Sequence, residues 1–327
     1  MNKVYVYGWY GRGNIGDESY KLSFPQAFPD RQFTFGKVGS DGPIILGGGD
    51  ILCEQYVKYV LDYPTKYKKF AVSVSANANS PFDLLAKFDH LYVRDTRSVN
   101  LLKARGIPCT YMPDISTGLV ADVVKGKEWI QQAFKESSAE LYNKCVGVVF
   151  NAHLNSGSDI LARDYMNFLK VSWDLGKLMD ETPASFILFP MSTSMPWDDR
   201  LTNACVATRC KFWKKNLVVY EKLTVQETLN MISACDVLIS SRLHSGIFSL
   251  TSGVPFIDIT HHDKNKGFLE TAGLEDWSVS YWQFDYDHIK NLLNDMLSKE
   301  EYRQRAVDIK NKQLQVLRKE SNNVCFV

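Results

Sequence analysis

The sequence has no apolar run long enough to span a bilayer, so membrane insertion is not expected. Its start lacks a charged segment followed by an apolar core and a cleavage site. A secretion signal is therefore not expected, and a cytoplasmic protein is. The seven cysteines, at 53, 109, 145, 205, 210, 235 and 325, include no CxxC pair. An odd, scattered set within apolar runs reads as reduced, buried thiols, not as disulfides or zinc ligands. Charge of either sign is hardly in excess: 38 Lys and Arg against 37 Asp and Glu leave a net charge of +1. That argues against a strongly basic nucleic-acid binder, although a local patch is compatible with it. The chain also lacks internal repeats and low-complexity segments.

What is present is an ordinary globular composition, 45% hydrophobic and 23% charged, over 327 residues. That length favours two domains. Short apolar runs at 4–7, 33–35, 44–46, 70–74, 91–93 and 109–112 read as strands. Helical patterns lie between them, from about 17 and over 51–61, 81–88 and 96–104. A second series has strands at 146–150, 186–189, 217–219, 237–239 and 256–259, with helices at 160–179, at 225–233 and up to Gly253. Strands alternating with helices imply parallel sheets covered on both faces. The fold class expected is α/β, two Rossmann-like doubly wound domains facing a cleft. The polar stretch 125–144 reads as the connection between them. The domains are placed at 1–130, acceptor-side, and 131–285, donor-binding. Amphipathic helices at 286–327 pack back across both.

Ligands of doubly wound sheets bind at the carboxyl ends of the strands, and the distinctive residues fall there. After the strand at 237–239 come Ser240, Ser241, Arg242, Leu243, His244 and Ser245, opening a helix. A guanidinium fork, a titratable ring and free helix N–H groups together make an anion site, for phosphate or carboxylate. Lys264 and Lys266, after the next strand, would reach the same anion. His261 and His262 could suggest a metal, but adjacent side chains diverge and no third ligand is evident, so no metal site is expected. Near the start, Gly11, Gly13, Asn14, Gly16, Asp17 and Glu18 form a Gly-rich turn entering a helix. It is neither a Walker loop nor a dinucleotide fingerprint. Asp17 and Glu18 would repel a phosphate. They suit a proton acceptor for a hydroxyl, or alternatively helix capping by Asp17. Asp17 is preferred to Glu18 as base, because it stands at the turn. His244 is the rival as a general acid. Gly47, Gly48 and Gly49 bring backbone close to something large. Arg94 with Asp95 and Ser98 reads as a local ion pair capping a helix, or as an anion contact. Asn151 and His153 open the second domain's cleft loops. Basic residues interleave with aromatics at 66–70 and 211–215, as in solvated helix ends or nucleic-acid surfaces.

Taken together these motifs resemble the polysaccharide pyruvyl transferase family. The matching elements are Gly13-Asn14-Ile15-Gly16-Asp17-Glu18, Gly47-Gly48-Gly49, Val93-Arg94-Asp95 with Ser98, Leu101, Leu102 and Gly106, then Pro113-Asp114. Arg242-Leu243-His244, Gly253-Val254-Pro255 and Lys266 follow in order. The resemblance implies a GT-B-like fold and transfer from phosphoenolpyruvate to a sugar diol, giving a pyruvate ketal without a cofactor. It also implies that Arg242 and His244 hold the donor's phosphate and carboxylate, with Arg94 facing them. The stretch before Gly47 is short for the family, as if one strand-helix unit were trimmed. The same fold serves nucleotide-sugar glycosyltransferases, some acting on hydroxymethylated bases of viral DNA. A nucleotide-diphosphate sugar as donor and DNA as acceptor are therefore the alternative. A non-catalytic module binding an anionic sugar or nucleotide is a third reading. It leaves the acidic residues unexplained.

Overall fold

The structure, a computed structural model, describes residues 3–151, 161–195 and 197–326. The chain forms two units. The first comprises Met1–Leu119 with Lys266–Gly273 and Asn311–Val327; the second comprises Val120–Asn265 with Leu274–Lys310.

The first unit holds strands β1 (Lys3–Tyr7), β2 (Gln32–Phe35), β3 (Ile44–Gly49), β4 (Lys69–Val74), β5 (His90–Val93) and β6 (Cys109–Tyr111). They form one parallel sheet of order β2-β1-β3-β4-β5-β6. Helices α1 (Ile15–Ala27), α2 (Glu54–Asp62), α3 (Phe82–Leu85) and α4 (Thr96–Lys103) connect them. Adjacent strand residues serve opposite cores. Ile44 and Leu46 pack with Val57, Leu85 and Leu102 on one face. Ile45 packs with Tyr20, Phe24 and Leu317 on the other. Burial on both faces is why these strands read as continuous apolar runs and not as alternation.

The second unit holds β7 (Cys145–Val149), β8 (Ser185–Leu188), β9 (Asn216–Val218), β10 (Val237–Ser240), β11 (Phe256–Thr260) and β12 (Ser278–Ser280). The sheet is again parallel, of order β12-β11-β10-β7-β8-β9. Its helices are α5 (Val123–Glu136), α6 (Leu161–Glu181), α7 (Asp199–Ala207), α8 (Val225–Ser233), α9 (Leu243–Ser252) and α11 (Tyr286–Ser298). Two further helices, α10 (Asp263–Ala272) and α12 (Glu300–Asn323), contribute residues to both units. Helix α9 ends at Gly253, whose φ of 69° is the left-handed cap expected of it.

Two local expectations need correction. The stretch 125–144 is largely helix α5, with Ile130 and Phe134 buried. Its Gly126 lies so close to α8 that a Cβ would sit 2.0 Å from the Asn230 carbonyl oxygen. Lys and Gln on the exposed face had diluted the apolar period. Helix α1 begins at Ile15 and is capped by Asn14, whose side chain accepts from the Gly16 N–H at 3.0 Å. Asp17 is therefore not the cap: it is the third helical residue.

Candidate functional site

In each sheet the strand order reverses beside the first strand of its unit, and loops leaving in opposite directions open a crevice there. In the second unit the reversal lies between β7 and β10. Beyond their ends the two chains are tied through Ser241. Its N–H donates to the Val149 carbonyl at 3.0 Å, and its hydroxyl accepts from the Asn151 N–H at 2.8 Å. The same hydroxyl donates to the Asn151 carbonyl at 3.0 Å.

Under this junction sits Asp199, the first residue of α7, fully buried. Its carboxylate accepts from the Met191 and Ser192 N–H groups, each at 2.9 Å. It also accepts from Asn151 Nδ2 at 2.7 Å and from Arg242 at 2.6 Å (Nη2) and 3.1 Å (Nε). Burial raises the Asp199 pKa, and the Arg242 charge opposes that rise. A charge this deep persists because it is paired and hydrogen-bonded throughout. It fixes Arg242 from below, while the Trp197 carbonyl accepts from Nη2 at 2.9 Å. Arg242 is also the N-cap residue of α9 and makes no side-chain cap bond, so its guanidinium and the helix's first N–H groups lie at one helix end. Ser240 and Ser245 brace that turn. Ser240 Oγ accepts from the Arg242 N–H at 2.9 Å, and Ser245 Oγ donates to the Arg242 carbonyl at 2.6 Å. His244, second residue of α9, is half-buried, its ring set at 66° to that of Phe248 with centroids 6.5 Å apart. Asn151 is 2% exposed, and among the described residues its Oδ1 has no hydrogen-bond partner.

Lys264 is half-buried at the start of α10. Burial, then the charges of Lys264 and Arg242, push the His262 pKa down to about 4. Arg242, His262 and Lys264 thus form one basic neighbourhood. Lys266 is exposed, and its charge acts on Glu270. His153 lies outside the described residues. Among those residues, no three His, Cys, Asp or Glu side chains gather as a metal ion would need. No helix among them is long and apolar enough to cross a membrane.

In the first unit the reversal lies between β1 and β3, and the Gly-rich turn and the three glycines meet there. Glu18 accepts from the Gly11 N–H and pairs with Lys21 at 2.6 Å, holding the turn that contains Gly13. Asp17 is 9% exposed. A Cβ on Gly49 would lie 3.0 Å from its Oδ1, so the bare glycine lets β3 approach that carboxylate. Gly48 has φ 75°, and a Cβ there would lie 2.1 Å from the Tyr20 ring. Packing against α1 alone therefore requires glycine at 48. Tyr10 donates to the Gly47 carbonyl. Burial and then Asp17 push its phenol well above the ordinary range.

Arg94 is 6% exposed and committed to the interior of this unit. It donates to Asp114 at 2.9 Å, to the Tyr20 hydroxyl at 3.0 Å and to Ser75 at 2.9 Å. Burial alone would lower its pKa; Tyr20 and Asp114 outweigh it, and the net shift is upward. The local pair expected with Asp95 is absent from these contacts. Asp95 instead caps α4, accepting from the Ser98 N–H at 2.7 Å. The structure thus gives Arg94 a buried ion pair, not an anion contact. In the two basic-aromatic segments one lysine each is tied down. Lys69 donates to the Leu61 and Tyr63 carbonyls, and Lys215 to the Thr182 carbonyl.

A family model described as polysaccharide pyruvyl transferase matches residues 14–263. The chain belongs to that family. The match contains Asn14, Asp17, Gly48, Arg94, Asn151, Arg242 and His244, while Lys264 and Lys266 lie just beyond it. No curated protein matches the chain in sequence. Among solved structures it is similar to the UDP-GlcNAc 2-epimerase of Neisseria meningitidis, with a TM-score of 0.57 at 9% identity over 98% of this chain and 100% of that one. The corresponding epimerase of Methanocaldococcus jannaschii gives 0.57 at 11% identity, over 95% and 100%. A UDP-glucose:anthocyanidin 3-O-glucosyltransferase gives 0.54 at 12%, over 98% and 97%. At such identities the likeness shows the fold alone. It is the GT-B fold, in a pyruvyl transferase-family chain that is a transferase.

Sequence reasoning missed Asp199. The pair Asp198-Asp199 before a helix was visible, and Asp198 does cap α7, accepting from the Arg200 N–H at 3.0 Å. Nothing local marks the second Asp as the buried anchor of an arginine 43 positions away.

Proposed function

We propose that this pyruvyl transferase-family protein moves the pyruvyl group of phosphoenolpyruvate onto a sugar diol without a metal ion. The observation that carries the reading, beyond family membership, is Arg242. Its fork is pinned from beneath by Asp199 at the N-terminus of α9, preorganised for an anion before any ligand arrives. Phosphoenolpyruvate is small and anionic, and it needs convergent cations and N–H groups. Arg242, Lys264 and the first turn of α9 are of that kind. Ser241 and Ser245 hold the turn.

In the reaction, one acceptor hydroxyl adds to C2 of the enol and C3 gains a proton to become methyl. The second hydroxyl then attacks C2 as the C2–O bond to phosphate breaks, and its proton leaves on the departing phosphate. His244 supplies the proton to C3, and Asp17 takes the hydroxyl proton. The reading assigns the donor to the second unit and the carbohydrate to the first.

The test is incubation with phosphoenolpyruvate and saccharide acceptors, with phosphate release and acceptor mass gain measured. Arg242→Ala is expected to lose about 2–4 kcal/mol of transition-state stabilisation, and turnover is expected to persist in chelator. Near-normal turnover in Arg242→Ala would refute its assignment. A thermal shift with uridine diphosphate and none with phosphoenolpyruvate would replace the donor by a nucleotide sugar.

A further inference from the structure

Four aromatic side chains gather where β1 leaves the first sheet, and the proposed chemistry uses none of them. Tyr7 ends β1 and Trp9 follows it; Tyr56 and Tyr59, three residues apart, share one face of α2. Tyr7 stacks on Tyr59 with centroids 4.3 Å apart and planes at 26°. It tilts against Tyr56 at 5.7 Å, and Trp9 meets Tyr56 at 6.4 Å. A core cluster would be covered. Here Tyr59 is 48% exposed, and Tyr7, Trp9 and Tyr56 are half-buried.

Arg12 completes the group. Its guanidinium lies 3.8 Å over the Trp9 ring, and it is exposed. Among the described residues it makes no hydrogen bond or ion pair. A stacked guanidinium keeps its N–H donors around its edge, directed outward.

The place in the fold matters as much as the composition. This is the β1–β3 reversal, where doubly wound sheets bind ligands. Asp17 is close enough for its charge to help raise the Tyr56 phenol pKa, after burial, the larger cause. Exposed Asp50 follows the three glycines directly.

The chemistry of the group selects its occupant. A wholly apolar partner would strand the Arg12 guanidinium without hydrogen bonds. A polyphosphate backbone would meet Asp17 and Asp50. A pyranose has an apolar C–H face for the rings, and hydroxyls that serve both a guanidinium and carboxylates. Tyr and Trp are suited to such half-polar surfaces.

We propose that Trp9, Tyr56, Tyr59 and Arg12 form a carbohydrate subsite of the first unit, holding one pyranose ring against the aromatic surface with its hydroxyls on the Arg12 edge. The proposal rests on the reading of the acceptor as a sugar and names where that acceptor is gripped.

The test needs no donor and no turnover. The protein is labelled with fluorotryptophan, and the fluorine resonance absent from Trp9→Phe is assigned to Trp9. Methyl glycosides of glucose, galactose, mannose and N-acetylglucosamine are then titrated. The expected result is a saturable shift of the Trp9 resonance with at least one glycoside. Its apparent Kd should rise about tenfold in Tyr56→Ala and in Arg12→Ala, the size of one lost stacking or charge-assisted contact. A Trp9 resonance that no glycoside moves would overturn the proposal. So would one moved by a single-stranded oligonucleotide instead. If glycosides shift Trp9 while phosphoenolpyruvate is never consumed, the subsite stands and the donor reading falls. If phosphoenolpyruvate is consumed onto a sugar and Trp9 stays silent, the subsite alone falls.

Discussion

At the scale of single residues, a buried carboxylate does different work according to its neighbours. Asp199 is fully hydrogen-bonded and sets the aim of Arg242. Arg242→Lys keeps the charge but loses the fork, and one ammonium cannot serve Asp199, Trp197 and a ligand in the same plane. The phosphoenolpyruvate-induced thermal shift is expected to shrink as for a roughly tenfold weaker Kd. Asp258 is the contrasting case. It lies buried on β11 and accepts from Thr260 and from Asn265 Nδ2, the latter at 2.7 Å, with no cation among those partners. Burial pushes its pKa from 3.8 up to about 6. An acid whose folded pKa is raised contributes stability that is present below its unfolded pKa and lost as pH climbs through the folded one. At neutral pH the ionised Asp258 therefore costs roughly 3 kcal/mol relative to a neutral group. Asp258→Asn removes that cost. Among the described residues Asn265 Oδ1 has no partner, and after an amide flip it can accept from the new side chain. The melting temperature of Asp258→Asn should exceed wild type at neutral pH, with the gap narrowing toward pH 4. His262 titrates in the opposite sense, its pKa lowered to about 4, so the difference between the two proteins is the informative quantity.

At the scale of elements, close approach between helices and strand ends decides what sequence is allowed. Helices α5 and α8 meet at Gly126, whose Cβ would fall 2.0 Å from the Asn230 carbonyl. That carbonyl cannot retreat without disturbing α8, so Gly126→Ala must push the helices apart. Urea unfolding is expected to show a loss of about 1–3 kcal/mol, although alanine is the better helix former. An unchanged midpoint would mean the two helices separate freely. Gly48 is subject to the same constraint against Tyr20. For that reason the three-glycine run is explained by packing before any ligand is invoked. Asn14 and Asp95 show the other element-level rule: a short polar side chain before a helix satisfies its first N–H groups and thereby fixes the orientation of the loop before it.

At the scale of the whole molecule, each unit has its own parallel sheet and its own reversal point, but the chain does not divide cleanly in sequence. Asn311–Val327 completes the first unit's core although it follows the second unit. Phe326 packs edge-on against Phe28 and Phe70, with centroids 5.2 and 5.5 Å away. Phe326→Ala is expected to destabilise the protein by about 3 kcal/mol in denaturant titration. The loss should be relieved partly by Phe326→Leu, which refills most of the volume. Equal midpoints for wild type and the alanine variant would show that the tail is not part of that core.

Among the described residues the sequence by itself determined every strand but β12, because runs buried on both faces must be apolar throughout, whereas β12 has Val279 as its one apolar residue. It determined helix stops such as Gly253 as well, because only a left-handed residue fits there. It also determined the family and the Arg242-Leu243-His244 turn, since those signals are local and ordered along the chain. It did not reveal helix α5, whose buried residues are too sparse to stand out among its polar ones. Only the tertiary structure decided which charges are spent and which are presented. Arg94 and Arg242 look alike in sequence, each at the end of a core strand. One is buried against Asp114, while the other is held by Asp199 at a helix N-terminus. The partner in each case comes from a distant segment, and Coulomb energy and desolvation depend on distance in space and burial, not on distance along the chain.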